Sequence, residues 1–302
     1  MQDEKRPPVC DYEGSDYQAR FWETGERDYE DRSEAIALKH LLPRNGKLML
    51  ELGAGAGRNT PRYQGFERIL LLDYSRTQLK QAQERLGTSE RYIYVAADIY
   101  RLPFIDNLFD VATMIRTLHH MVNAPAALLQ IRNVVQSGAT FILEYANKRN
   151  LKAIVRYALR LQAWNPFKLD PVEFAPLNFD FHPRAVRSWL REAGFHVEKT
   201  LAVSHFRVGI LKNTIPARIL AGFDSLFQWT GAVWQLTPSV FVKTRAGTGR
   251  NISIPVDPIA FFKCPNCGNA PLVEQDGCLV CKACNRSYKI VDGIYDFRGD
   301  EL

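Results

Sequence analysis

Two residue patterns in this 302-residue chain have spacings that chemistry can use. The first is Glu51-Leu52-Gly53-Ala54-Gly55-Ala56-Gly57, which follows an apolar run at 48–52 that reads as a buried strand. Glycines after a strand let the backbone turn tightly and approach a ligand closely. A dinucleotide site wants G-x-G-x-x-G with a pyrophosphate on the helix N-terminus. Here Arg58 follows Gly57, so the third glycine arrives one residue early. That argues against a nicotinamide oxidoreductase. Glu51 stands two positions before the first glycine, and a carboxylate there suits a cationic ligand better than a phosphate. The second pattern is Cys264-x-x-Cys267 followed, 13 residues on, by Cys281-x-x-Cys284. Two such pairs supply the four sulfurs that zinc prefers in a tetrahedron. Cys278 falls outside that spacing and Cys10 is isolated, so both are left out of the set.

Further carboxylates follow the glycines. Asp73 ends an apolar run at 69–72, about 20 residues beyond the bend, the spacing at which such folds bind a ribose. Its competing role is to cap the helix that starts at Ser75. Asp98, just after a strand at 92–96, can accept from an adenine amino group, and Ile99 can pack on the ring. Asp110 opens the strand at 109–115 and reads as structural. S-adenosylmethionine carries a sulfonium and no pyrophosphate, so it fits this set better than a dinucleotide does. His119 and His120 follow the fourth strand, where parallel sheets place their ligands. A histidine there can take a proton from an N–H or O–H nucleophile. Methyl transfer to a good nucleophile depends mainly on in-line positioning, so shaping the pocket is the competing role for both.

These residues need elements to position them. A helix is expected over 33–42, with Ser33 as N-cap and Pro43 and Gly46 ending it. Strands are expected at 48–52, 69–72, 92–96, 109–115, 139–143, 195–203 and 239–244, and helices at 75–86, 124–135 and 182–193. That alternation gives an α/β fold with a mostly parallel sheet and helices on both faces. The expected domains are an aromatic and helical cap at 1–46, a catalytic domain at 47–245, a linker at 246–258 and a cysteine-rich domain at 259–302. Within the catalytic domain, 146–182 and 213–237 are expected to be substrate-cap insertions. A hydrophobic fraction of 46% with 24% charged residues suits a packed core. The net charge of +6 favours anionic partners. Residues 1–8 lack the apolar run of a signal peptide. The uncharged stretch 225–242 is interrupted by Gln228, Gly231, Gln235 and Pro238, which makes it a poor membrane span. A cytoplasmic location is therefore expected.

Residues 48–145 resemble the class I S-adenosylmethionine-dependent methyltransferases, in their type 11 branch. The matching stretches are ELGAGAGRN at 51–59, LLDYS at 71–75, ADIYRLPF at 97–104, LFDVATMIRTLHHM at 108–121 and SGATFILEY at 137–145. The resemblance implies a seven-stranded Rossmann-like sheet. It also implies S-adenosyl-L-methionine as cofactor, with Glu51, Gly53, Gly55 and Gly57 at its methionine end. Asp73 and Tyr74 would lie at the ribose, Asp98 and Ile99 at the adenine, and Arg116 beside the cofactor where substrate enters. In similar enzymes an N-terminal aromatic segment, here Tyr17, Phe21 and Trp22, folds over the cofactor, where rings attract a sulfonium. The alternative is that these rings pack on the core.

Residues 258–298 are similar to the zinc-ribbon activator subunit of tRNA, rRNA and release-factor methyltransferases, with Lys289 where that family usually has proline. This implies a structural zinc on Cys264, Cys267, Cys281 and Cys284. It also implies a ribbon that packs in cis on the catalytic domain or helps dock a macromolecule.

Two segments bear on the methyl acceptor. Lys148, Lys152, Arg156 and Arg160 recur every four residues beside Leu151, Val155 and Leu159. This basic stripe suits RNA phosphates, anionic lipid or plain solvation. Residues 215–236 are apolar and suit either a cap over a lipid, quinone or polyketide-like acceptor, or a surface buried beneath the ribbon. The readings are a methyltransferase of tRNA or another translation component, a methyltransferase of a small apolar acceptor, and a non-catalytic nucleic-acid-binding or scaffold protein with a vestigial cofactor fold.

Overall fold

The computed structural model describes residues 7–14, 25–249 and 251–299. Strands β1 (Gly46–Leu52), β2 (Phe66–Asp73), β3 (Tyr92–Ala96), β4 (Phe109–Met114) and β5 (Val135–Ala146) pair in parallel in the order 3-2-1-4-5. A hairpin of β6 (Val172–Ala175) and β7 (Asn178–Asp180) stands apart. β8 (Phe195–Val203) and β9 (Ser239–Ala246) finish the catalytic sheet, with β9 antiparallel to both β5 and β8.

The central strands bury both faces. Leu48, Leu50 and Leu52 enter one apolar layer and Met49 the other, while Leu70 and Leu72 oppose Ile69 and Leu71. This two-sided burial is why the strands read as continuous apolar runs. Among the described residues the helices are α1 (Asp28–Leu41), α2 (Arg76–Leu86), α3 (Ala124–Val134), α4 (Leu151–Ala158), α5 (Pro183–Glu192), α6 (Gly209–Thr214) and α7 (Ala217–Phe227). Leu128 and Ile131 of α3 and Val186 and Leu190 of α5 cover the first layer; Leu38 and Leu41 of α1 and Leu79 of α2 cover the second.

Two local expectations are corrected. The helix expected over 33–42 starts at Asp28, and Ser33 lies buried inside it. Asp28, Glu30 and Asp31 occupy its first turn, where the helix dipole favours negative charge. Lys148 is not part of the exposed basic stripe: it is buried, with Nζ donating to the Asp170 carbonyl at 2.5 Å.

The sheet has eleven strands where seven were expected. The cysteine-rich domain forms a meander of β10 (Val273–Gln275), β11 (Cys278–Val280), β12 (Ser287–Val291) and β13 (Ile294–Asp296). β13 then pairs in parallel with β3, Ile294 opposite Tyr94 and Asp296 opposite Ala96. Phe262 bridges to Phe104 and packs 4.7 Å from the Tyr295 ring and 5.1 Å from Phe297. Leu272, Leu279 and Tyr288 belong to the same apolar layer as the catalytic strands. The two domains therefore share one core.

Residues 246–258 are pinned beneath the amino ends of the strands. Arg132 donates to the Gly247 carbonyl at 2.8 Å, Gln136 to Ile252 at 3.3 Å and Arg68 to Pro255 at 2.9 Å. This strap carries the chain from β9 across to the β3 edge. The 215–236 segment lies on the other side of the sheet from the ribbon and is not buried by it. Leu220 and Ala221 of α7 pack on Tyr29 of α1, and Gly231 sits against the backbone of β8. Among the described residues, no helix is long and apolar enough to cross a membrane.

Candidate cofactor and acceptor clefts

The carboxyl ends of β1 to β4 open into a cleft of about 940 Å³, counted with its solvent-open part. Glu51, Gly53, Gly55, Asp73, Tyr74, Asp98, Ile99 and Arg116 all line it. Gly53 has φ +67°, and a Cβ there would stand 2.1 Å from Thr117 Oγ1, so no side chain fits. Gly55 (φ +53°) is different: a Cβ there would meet only Gln78 Oε1, at 3.8 Å, which leaves room for a ligand over the bend. Gly57 does not line the cleft. Its Cβ position faces Leu86 and Ala82 of α2 at 2.9 and 3.3 Å, so its task is to let that helix pack closely.

Asp73 caps the turn and lines the cleft at once. Its Oδ2 accepts from Gly55 N at 2.8 Å and its Oδ1 from Ser75 N at 3.0 Å. Burial raises its pKa, and the backbone donors offset part of that. Asp98 Oδ1 accepts from Tyr100 N at 2.9 Å. Asp110 accepts from Lys47 N and Leu48 N at 2.7 and 3.1 Å, tying β4 to β1 outside the cleft. Glu51 is buried and accepts from Thr60 Oγ1 at 2.6 Å. Desolvation pushes its carboxyl up to about 7.

The sequence gives no sign of Glu34, because a glutamate within a helix looks like any surface residue. It is fully buried on α1. Its carboxylate takes Arg58 Nη2 at 2.9 Å and Arg116 Nε at 2.7 Å. Although burial opposes ionisation, the two guanidinium groups hold Glu34 down at about 2. Arg58 also pairs with Asp31, so α1 is clamped onto the loop after Gly57. Arg116 has φ +57°, and its N–H donates to the buried Glu144 at 2.9 Å. This residue, expected beside the cofactor, thus both lines the cleft and anchors α1.

Tyr17, Phe21 and Trp22 lie outside the described residues. Among the described residues of the N-terminal segment, Val9, Cys10 and Tyr12 line the cleft. Cys10, left out of the metal set, is a half-buried part of that wall.

A second cleft, about 1140 Å³ counted the same way, adjoins the first and shares Tyr12, Arg116 and His120 with it. Arg27, His119, Asp180 and Arg207 also line it, with Phe174 among its apolar residues. His120 Nδ1 lies 3.0 Å from the Leu177 carbonyl, which only accepts, so that nitrogen carries the proton. Its Nε2 then accepts from the Tyr12 hydroxyl at 3.2 Å. Burial lowers the pKa of His120, and burial together with His120, Arg116 and Arg27 lowers that of His119 much further. His119 reaches only the second cleft. Burial pushes Asp180 up to about 6.

The Sγ atoms of Cys264, Cys267, Cys281 and Cys284 lie within 4.8 Å of one another. The pairs Cys264–Cys284 and Cys267–Cys281 are 3.7 and 3.5 Å apart. Disulfide sulfurs stand about 2 Å apart, whereas sulfurs around a tetrahedral zinc with bonds of about 2.3 Å stand about 3.8 Å apart. The donor set fits zinc. Cys278 lies on β11, outside the cluster.

Residues 50–143 match the methyltransferase domain family, and residues 259–293 match the Trm112p-like protein family. The chain carries a methyltransferase domain and, fused to it, a Trm112p-like domain. Demethylmenaquinone methyltransferase from Clavibacter sepedonicus is 25% identical over 166 residues, which is 51% of this chain and 68% of that protein. Its counterpart from Thermobifida fusca is 32% identical over 109 residues, 34% of this chain and 45% of that one. The chain therefore spans about two thirds of one curated relative and under half of the other. A chain of a complex containing the Haloferax volcanii Trm112 methyltransferase activator shares the fold at TM-score 0.55 and 16% identity, covering 78% of this chain and 96% of that one. A SAM-dependent methyltransferase from Leishmania major does so at TM-score 0.52 and 12% identity, covering 76% of each.

Proposed function

We propose that the first cleft binds S-adenosylmethionine and that its methyl group passes to a nucleophile held in the second. The observation that carries this is the common wall: Tyr12, Arg116 and His120 border both clefts. Bound there, the cofactor supplies an electrophilic methyl group on a positively charged sulfur. Asp73 keeps acceptor capacity for ribose hydroxyls, because a carboxylate offers about four lone-pair sites and two backbone donors are in place. Asp98 accepts from the adenine amino group and Ile99 packs on its ring. Gly53 and Gly55 admit the methionine end, and ionised Glu51 offsets its positive charge.

His120 is neutral at pH 7, since burial lowers its pKa. Its Nε2 can take the acceptor's proton, directly or through the Tyr12 hydroxyl. Asp180, Arg27 and Arg207 suit an acceptor with an ionisable reacting end, and Phe174 an apolar body. Residues 146–182 serve as its cap. This favours a small acceptor of the quinone type, in line with the relatives named as demethylmenaquinone methyltransferases.

A translation component is a second reading, favoured by the Trm112p-like domain. That domain docks at the β3 edge, three strands from β4 and four from β5, which border the second cleft, so it acts chiefly in cis. We assign it a structural zinc, and thiolates kept for a metal suit a reducing, cytoplasmic compartment.

Incubation of the full chain with radiolabelled methyl donor and fractionated cell extract tests the proposal. Label in the organic-soluble fraction supports the small acceptor, and label in RNA or protein supports the second reading. Absence of donor binding by calorimetry would sink both and leave the scaffold reading.

A further inference from the structure

A second surface feature lies around the mouth of the acceptor cleft. On α4 and the turn after it, Leu151, Val155 and Leu159 stand 56%, 46% and 64% exposed. They recur every four residues and so form one helical stripe. Exposed Lys152, Arg156 and Arg160 form the adjoining stripe, while Ala153 is buried on the inner side. The segment after β8 adds Trp229 and Trp234, exposed by 63% and 67%. The two segments meet at the root of α4, where Leu151 N donates to the Leu236 carbonyl at 2.7 Å and Asn147 Nδ2 to Gln235 at 2.8 Å. Asn150, which caps α4, lines the acceptor cleft together with Phe174, itself 61% exposed.

This much exposed apolar side chain marks an interaction site. Its occupant must satisfy apolar and cationic stripes together. Residues 149–168 contain five cations, Arg149, Lys152, Arg156, Arg160 and Lys168, and no acidic residue. RNA would use the cations and would stack on aromatic rings, but gains nothing from leucine and valine. Protein interface cores are depleted of charge, whereas here the cations run alongside the apolar stripe. An anionic bilayer uses every part: apolar side chains enter the acyl boundary, tryptophans settle at the interface and cations meet the headgroups.

We propose that this face docks on an anionic lipid bilayer surface, with the acceptor cleft opening toward the lipid so that a membrane-dissolved acceptor enters directly. The docking stands on the exposed face alone; the acceptor's route rests on the function proposed above.

The full-length, zinc-loaded chain is sedimented with vesicles of phosphatidylcholine alone or mixed with phosphatidylglycerol. It should pellet with the mixed vesicles, with blue-shifted tryptophan emission, and release at high salt. The double change Arg156→Glu and Arg160→Glu should lower partitioning about tenfold or more, and Leu159→Ser with Trp234→Ser should abolish the emission shift. Calorimetry with S-adenosylmethionine on the same variants should be unchanged, which shows that they are folded. Vesicle binding by a chain that labels nothing in the organic-soluble fraction of cell extract keeps the docking and rejects the acceptor reading. Equal partitioning on neutral and anionic vesicles, or indifference to charge reversal, overturns the docking. So does retention of RNA, lost on charge reversal, by a chain that ignores vesicles.

Discussion

Arg298 of the Trm112p-like domain donates to Glu13 at 2.8 Å and to the Tyr74 carbonyl at 3.1 Å. Glu13 in turn accepts from Arg76 N and Thr77 N at the start of α2. Tyr74, Val9, Cys10 and Tyr12 border the first cleft, so this pair ties the ribbon to its wall. Glu13 is 39% exposed, which limits the pair to under about 1 kcal/mol. Arg298→Ala should weaken S-adenosylmethionine binding about two- to fivefold by calorimetry, with zinc content unchanged. Equal affinity in variant and parent would remove the link.

Glu51 gives cofactor binding a pH dependence. Burial pushes its carboxyl up to about 7, and a positively charged ligand selects the ionised form. Affinity should therefore fall as pH drops below about 7, approaching tenfold per unit. Glu51→Gln should flatten that slope, and a parent protein with no slope would show that Glu51 does not face the charge.

Glu34 should matter more for stability than for binding. Removing a carboxylate shared by two partly buried guanidinium groups costs about 3–5 kcal/mol, so Glu34→Ala should shift the urea midpoint strongly. The pH effect has a definite sign. The folded carboxyl lies near 2 against an ordinary 4.5, so the stabilisation is complete above about 4.5. It is lost as pH falls toward 2, about 3 kcal/mol in all. Urea titrations of Glu34→Gln across that range should lack this loss.

Zinc should be stoichiometric, one per chain by elemental analysis. Strands of three to five residues cannot hold the ribbon by packing alone. Chelation should make residues 263–299 sensitive to protease before the catalytic strands, and Cys264→Ser should do the same without chelator. A ribbon that stays resistant once metal-free would refute the structural role.

The glycine bend, Asp73, Asp98 and the four cysteines were legible because each sits at a spacing fixed by local backbone geometry. Glu34 and Tyr12 were not, since what distinguishes them is burial against partners far along the chain: Arg116 lies 82 residues from Glu34, and His120 lies 108 from Tyr12. Lys148 continued a four-residue period into a loop, where the fold turned it inward. The addition of β13 to the sheet left no mark either. Ile294-Tyr295-Asp296 is too short to announce a strand, and its partner β3 lies some 200 residues earlier.

The strap beneath the sheet has a consequence for how the catalytic domain is supplied with its ribbon. A linker of a dozen or so residues holds β13 beside β3 at an effective concentration of about millimolar, far above what a separate subunit would reach. Every copy thus emerges with its own ribbon in fixed one-to-one proportion. A free ribbon protein in the same compartment would find that edge already taken by β13.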